Sequence, residues 1–499
     1  MRVSKTTMDD LPIPGPGYAR DDVTSGIVHI GVGGFHRAHQ AMYLDALLRD
    51  GGDRTWGLTG IGLMPGDTRM RDVLDAQDGL YTLVVEQPDG TRDARVIGSI
   101  LRYLYAPDDV ETAIEVIASP TTRIVSLTVT EGGYGIDQET GEFGLDDPAV
   151  QADLARPERP RTVFGLVAAG LQRRRERGLL SPTIMSCDNV QANGEVARSA
   201  FVGFAQALDA RFPGGRSEGG LAAWMQEHTH FPSSMVDRIT PVTPASLSAE
   251  VSEQFGVEDG WPVVAEPYTA WVLEDDFGAG RPELERVGVQ LVDDVTPYEL
   301  MKLRLLNASH QGIAYLGHLC GYRLVHEAAQ DPLFEDFLLA YMEHEAVPTL
   351  PEVPGVDLDG YCRTLIERFA NPRIGDTIAR LAAESSDRIP TWLLPVVREN
   401  LRTGGPIECS ATIIAAWARY AEGVDEAGEP IDVVDRLAQT LTPIAQRQRE
   451  EPTAFIAHRR VFGDLVDDER FVTAYTDALA SLHTHGARAT LQDLAQPHG

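Results

Sequence analysis

Lysine is almost missing from this chain. Among 499 residues there are 43 basic side chains, and only Lys5 and Lys302 are lysine; the rest are arginine. Lys5 lies in a polar N-terminal stretch, so Lys302 is the one lysine of the folded body. Basic charge as a whole is scarce: 75 acidic residues against 43 basic give a formal charge of −32 and a pI near 4.7. Such a surface repels phosphate backbones and anionic membranes, which argues against a nucleic-acid or membrane partner. Cysteine is sparse too. Cys187, Cys320, Cys362 and Cys409 lie far apart with no C-x-x-C pair, a pattern that suits free thiols in a reducing cytoplasm better than a disulfide frame or a zinc ribbon. No apolar run reaches signal-peptide or membrane-span length, so a cytoplasmic location is expected. H-E-x-x-H is absent, and the 13 histidines show no ligand spacing beyond His36 and His39, so no metal is expected.

What is present is a chain long enough for two or three domains, with 43% hydrophobic residues. The first half alternates β-rich runs with helical patterns. "GIVHIGVGG" reads as a strand ending in glycines, followed by the helical "FHRAHQAMYLDALL". "TWGLTGIGL", "TRIVSLTVTEGGYG" and "SPTIMSCDN" read as further strands, and "GLYTLVVEQPDGTRDARVIGSI" as a hairpin with an Asp-Gly turn. Strands alternating with helices indicate a parallel sheet covered on both faces. The hairpin and "WPVVAEPYTAWVLEDDF" suggest antiparallel additions. From about Thr296 helical periodicity dominates. The expected fold is therefore α/β: a Rossmann-like N-terminal domain with antiparallel additions over 1–285, then a mostly α-helical domain over 286–499.

In "HIGVGGFHRAHQ", Gly31, Gly33 and Gly34 follow a strand and, with Phe35, open a helix. Such glycines allow a tight turn and close approach of backbone N–H groups to a pyrophosphate. The third glycine position of G-x-G-x-x-G holds His36, so a plain strand-to-helix turn is the alternative. An acidic residue ending the second strand should hold the ribose hydroxyls of NAD. Asp53 falls in the loop before that strand, whereas Asp67 falls just after it and is preferred. Arg69 and Arg71 nearby could instead accept the extra phosphate of NADP.

"TPYELMKLRLLNASH" is a strong helix start, with Thr296 as cap, Pro297 in the first turn and Glu299 completing a capping box. At 100° per residue, Glu299, His310 and Asn307 fall within about 140° of Lys302 on the apolar side, while Arg304 and Gln311 fall about 180–200° away. A buried histidine, asparagine or capping glutamate is ordinarily structural. Lysine differs, because burial can make an ammonium give up its proton and a guanidinium cannot. A site needing a base near neutral pH would therefore choose lysine, even in an arginine-rich chain. "YELMK" also fits the Y-x-x-x-K signature of short-chain dehydrogenases, with Tyr298 as the acid–base group. The chain is about twice that class's length and lacks its glycine loop.

The whole chain resembles the polyol-specific long-chain dehydrogenases. The resemblance runs through "GIVHIGVGGFHRAHQ", "RIVSLTVTEGGY", "MSCDN", "MVDRITP", "EPYTAWVLED", "DDVTPYELMKLRLLNASH" and "YLGHLCGYRLVHE". It implies zinc-independent hydride transfer between NAD, with NADP as the alternative, and a polyol carbon. It also implies a monomer, with the cofactor on the first domain. By motif match, Lys302 is the general base, Asn189 and Asn307 clamp the reacting oxygen, Glu299 gates proton exchange and His310 orients the substrate. Asp237 and Arg380 match positions that grip other hydroxyls, and Arg388 stands where the mannitol-type members carry lysine. D-mannitol and D-fructose are the expected pair. D-arabinitol oxidation and fructuronate reduction are the alternatives, and a non-catalytic NAD sensor is the reading from another class.

Overall fold

Ile27, Val28 and Ile30 make one short strand apolar on both faces, and such a strand belongs in the middle of a parallel sheet. The computed structural model, which describes residues 1–136, 142–212 and 219–494, puts it there. Its strands are β1 (Ser25–Ile30), β2 (Gly57–Gly62), β3 (Tyr81–Glu86), β4 (Arg92–Ile97), β5 (Ile100–Tyr105) and β6 (Ile124–Leu127), then β7 (Thr183–Ser186), β8 (Ser234–Asp237), β9 (Val263–Ala265), β10 (Ala270–Glu274) and β11 (Gln290–Val292). Five of them form a parallel sheet in the order β5-β2-β1-β6-β7. The chain builds outward from β1 through β2 to β5, then returns to β6 on the other side of β1. In open α/β sheets, ligands bind beyond the carboxyl ends of strands at such a reversal. This is the Rossmann-like arrangement expected of the first half.

The additions are mixed in direction. β3 and β4 pair antiparallel around the Asp89–Gly90 turn, where Gly90 has φ +88°, and β9 joins β3 in parallel. β10 lies antiparallel to β8 and parallel to β11. Only Gly98 and Ser99 separate β4 from β5, so the hairpin's end conceals an edge strand of the main sheet.

The helix expected after β1 is two helices, Gly34–Ala38 and Gln40–Arg49, broken at His39 (φ −122°, ψ −90°). A broken helix leaves carbonyls without partners. Here Tyr81 donates to the Arg37 carbonyl at 2.6 Å and Arg238 to the Ala38 carbonyl at 2.6 Å.

The chain divides into units Met1–Val295 and Thr296–Gly499. The division falls after Glu285 because β11 pairs with β10 of the first unit. The second unit is helical. At its centre, helix Ala308–Leu319 is buried around almost its whole circumference. Glycine permits that crowding: a Cβ on Gly317 would lie 2.9 Å from the Ile378 side chain. Among the described residues, no helix is long and apolar enough to cross a membrane.

Gly31 follows β1 with φ +97°, and a Cβ there would stand 2.1 Å from the Thr128 carbonyl oxygen. Gly31→Ala is expected to destabilise the first unit by about 2–4 kcal/mol. Chemical denaturation measures this, and an unchanged midpoint would contradict it.

Candidate active site

In the first unit, the loop leaving β1 is bare backbone. A Cβ on Gly33 would meet only the Gly31 oxygen at 3.8 Å, and one on Gly34 only two methyl groups at 3.8 and 3.9 Å. Phe35 is half-buried and stacks on His39, ring centroids 5.0 Å apart. His36 occupies the third glycine position. Its ring lies flat on that of His29, with centroids 3.4 Å apart and planes at 14°. The close helix–strand approach that a glycine usually permits is made here by one ring lying on another. Burial pushes the pKa of His29 down to about 3 and that of His36 well below its ordinary value, so both rings are neutral. Uncrowded glycines at the carboxyl end of a central strand, opening a helix, fit the pyrophosphate of a dinucleotide.

Asp67 sits just past β2 in the turn Pro65–Asp67. Its Oδ2 accepts from the amides of Leu63 at 2.9 Å and Met64 at 2.8 Å, which fixes the carboxylate at the strand's tip. Asp53 instead accepts from the Thr55 amide and hydroxyl in the loop ahead of β2. The two nearby arginines are engaged. Arg71 pairs with Asp72 at 2.7 Å and Asp108 at 2.5 Å, and Arg69 lies 4.0 Å over the Trp261 ring.

Beyond β7, Asn189 is exposed on a turn held by its neighbours. The buried Asp188 carboxylate accepts from the amides of Val129 (3.0 Å) and Thr130 (2.8 Å) and from the Tyr134 hydroxyl (2.7 Å). Burial raises the Asp188 pKa against the lowering pull of these donors. Thr130 adopts φ +68°, a strained conformation for a β-branched residue. Asn193 donates to the Asp188 carbonyl at 2.9 Å and to that of Ser234 at 2.7 Å, tying this turn to β8. Sequence reasoning passed over Asp188 and Asn193, although "SCDNVQANG" sets both beside the chosen Asn189. Asp237 is buried at the end of β8, and the adjoining Arg238 is anchored on the carbonyls of Glu266 and Ala38.

In the second unit, helix Thr296–Met301 passes into a π-helical turn over Lys302–Asn307 and then into Ala308–Leu319. A π turn bonds i to i+5 and inserts extra chain, so an ideal 100° projection loses phase across it. Glu299, Lys302, Asn307 and His310 are all buried, between 5% and 9% exposed. His310 packs on Phe369 at 4.5 Å. Gln311, expected on the opposite side, is fully buried as well, donating to the Leu381 carbonyl at 3.2 Å with the Tyr315 hydroxyl 2.5 Å from its oxygen. Arg304 is half-buried and donates to the carbonyl and hydroxyl of Thr349. Tyr298 donates to the Pro354 carbonyl at 2.8 Å, which engages the hydroxyl of the short-chain signature's tyrosine with a distant loop.

Arg380 and Arg388 lie together. Arg380 is mostly exposed and grips both oxygens of Asp376, at 2.6 and 2.5 Å. Arg388 donates to the carbonyls of Arg380 (3.2 Å) and Leu381 (3.0 Å) and lies 5.4 Å over the Trp392 ring. Among the described residues, no three His, Cys, Asp or Glu side chains are grouped to hold a metal ion.

A Rossmann-like sheet with a bare glycine loop defines a dinucleotide-binding α/β protein, and the second unit buries a lysine, an amide and an imidazole along one helix. Comparison with known proteins makes the class specific. Residues 25–286 match the family described as mannitol dehydrogenase Rossmann domain, and residues 294–483 match mannitol dehydrogenase C-terminal domain. The mannitol 2-dehydrogenase of Aspergillus fumigatus is 44% identical over 95% of this chain and 94% of its own length, and that of Phaeosphaeria nodorum is 44% identical over 96% of this chain and 83% of its own. Among solved structures, the Pseudomonas fluorescens mannitol 2-dehydrogenase ternary complex with NAD and D-mannitol is 42% identical with a TM-score of 0.86, covering 99% of both chains. A substrate-free D-sorbitol dehydrogenase is 35% identical with a TM-score of 0.91, covering 98% of this chain and 100% of that one. The chain belongs to the mannitol dehydrogenase family.

Asp188→Ala leaves the Val129 and Thr130 amides and the Tyr134 hydroxyl without their acceptor. A loss of about 2–4 kcal/mol in chemical denaturation is expected. A change under about 0.5 kcal/mol, the size of an ordinary surface substitution, would contradict the role given to this carboxylate.

Proposed function

We propose that this chain is an NAD-dependent oxidoreductase interconverting D-mannitol and D-fructose. The observation that carries the reading is Lys302, the one lysine of the folded body, buried on a π-turned helix with Glu299, Asn307 and His310 in a member of the mannitol dehydrogenase family. The Pseudomonas fluorescens relative in complex with NAD and D-mannitol supports both ligands. NAD supplies the hydride acceptor. Losing a hydride from a secondary carbinol requires its oxygen to lose its proton, and Lys302 Nζ takes that proton. The side-chain amides of Asn307 and Asn189 donate to the oxygen as negative charge develops, a contribution of about 3–4 kcal/mol for such a donor in the transition state. Glu299, one helical turn before Lys302, passes the proton to solvent, and His310 orients the substrate. Asp237, Arg380 and Arg388 hold the remaining hydroxyls. Gly31, Gly33, Gly34 and Phe35 bind the cofactor over the first unit, with Asp67 on the ribose.

Asp67 at the tip of β2 supports NAD over NADP, as do the prior engagements of Arg69 and Arg71. The bidentate Asp376 contact balances the charge of Arg380, which favours a neutral polyol over a uronate. D-sorbitol is the second substrate to consider, because the D-sorbitol dehydrogenase fold superposes so closely. We assign the reaction to the cytoplasm and to a monomer; free Cys187, Cys320, Cys362 and Cys409 suit a reducing compartment.

Lys302→Ala is expected to lose about 10²–10⁴ in kcat/KM for mannitol, with partial recovery on adding small primary amines. Equal rates in the two proteins would remove the proposed base. In a panel of mannitol, sorbitol, arabinitol and fructuronate with either cofactor, mannitol with NAD is expected to give the highest kcat/KM. Faster fructuronate than fructose reduction would overturn the substrate assignment.

A further inference from the structure

His29 and Thr128 have no part in the chemistry above, yet they form a directed chain of hydrogen bonds ending on the glycine loop. The Thr128 hydroxyl lies 2.7 Å from the Gly31 carbonyl oxygen. A carbonyl only accepts, so the threonine proton points there. The same hydroxyl oxygen is 2.9 Å from His29 Nε2 and, its proton spent, must accept. Nε2 therefore carries the ring proton. The opposite nitrogen, Nδ1, is 2.8 Å from the Ser126 hydroxyl and accepts from it, since a neutral imidazole has one donor and one acceptor. The chain runs one way, from Ser126 through His29 and Thr128 to Gly31. His29 is fully buried, and the His36 ring lying on it leaves it no room to turn.

The chain's end is at the strand-order reversal, where β1 and β6 lie side by side. In a planar trans peptide the C=O and the next N–H point in opposite directions. Drawing the Gly31 carbonyl toward Thr128 thus aims the Val32 N–H away from it and sets the first peptide of the loop before any ligand arrives. The same contact explains why His36 stands where a fingerprint glycine would: the imidazole provides the flat surface that keeps His29 in place.

We propose that Ser126, His29 and Thr128 are positioning residues that preorganise the glycine loop for NAD through the Gly31 carbonyl. This rests on the dehydrogenase reading above and assigns these residues to cofactor affinity with no part in the chemical step. The test is calorimetric binding of NAD to the intact protein without substrate, paired with steady-state kinetics. Thr128→Val keeps the shape and removes the hydroxyl; it is expected to weaken NAD binding about tenfold, while Thr128→Ser stays within about twofold of wild type. At saturating NAD, kcat with mannitol is expected to stay within about twofold in both. His29→Leu should weaken binding similarly, and adding it to Thr128→Val should cost little more, because both break one chain. Nitrogen-15 NMR of the wild-type protein is expected to show His29 as the Nε2–H tautomer with no titration between about pH 5 and pH 8. An Nδ1–H tautomer, or NAD binding by Thr128→Val equal to wild type, overturns the proposal. Wild-type protein that binds no NAD overturns the dehydrogenase reading instead.

Discussion

Keeping one amine out of water is the constraint on which the second unit depends. Lys302 sits on a helix that continues, through a π turn, into Ala308–Leu319, a segment surrounded by protein on nearly every side. Placing an ammonium there is costly, and the cost falls when the group is neutral. An arginine would be buried at comparable cost and could never give up its proton. On the proposed reading, that difference is why a lysine stands here in a chain that otherwise uses arginine. The π turn belongs to the same constraint. By adding chain between Lys302 and Asn307, it changes which side chains face together without altering the helices on either side. Such a turn sacrifices regular helical bonding, and it persists where surrounding packing holds it. Here Gly312 and Gly317 let neighbouring helices close in, since a Cβ at either would press on Ile413 or Ile378.

The first unit meets a different demand, which is to leave backbone bare without leaving it loose. The loops after β2, β6 and β7, at the carboxyl end of the parallel sheet, are each fixed by a side chain bonded to main-chain groups. Asp67 gathers two amides after β2, Asp188 two amides beyond β6, and Asn193 two carbonyls and an amide around β7 and β8. Carboxylates accepting several backbone N–H groups stay rigid without filling the space a ligand would use. The strained Thr130 and the left-handed Gly31 belong to this same rim. Rigidity at the rim rests on buried polar groups that are satisfied by their neighbours.

Much of this was legible in the sequence because it follows from local pattern. β1, β2, β6 and β7 announce themselves as short apolar runs ended by glycine or polar residues, and the Asp-Gly turn fixes the β3–β4 hairpin. Lys302 was legible from composition alone. β5 was hidden because two residues after β4 look like a continuation of the hairpin. The break at His39 was hidden because its cause is tertiary: Tyr81 and Arg238 take the carbonyls it releases, and both are distant in sequence. Gln311 was expected to face outward because an ideal helix was assumed across residues that form a π turn, and nothing in "KLRLLN" signals that turn. The partnership of Arg380 with Asp376 follows an i, i+4 spacing that could have been read. The Ser126–His29–Thr128 chain joins two strands and needed coordinates.

The most direct measurement is the rate of mannitol oxidation by Lys302→Arg across pH, beside wild type. A guanidinium has about the reach of the amine but stays protonated and cannot accept a proton, so the account predicts a loss of about 10²–10⁴-fold at every pH tested. A Lys302→Arg protein that oxidises mannitol at the wild-type rate would show that no proton passes through this residue, and the account would fail.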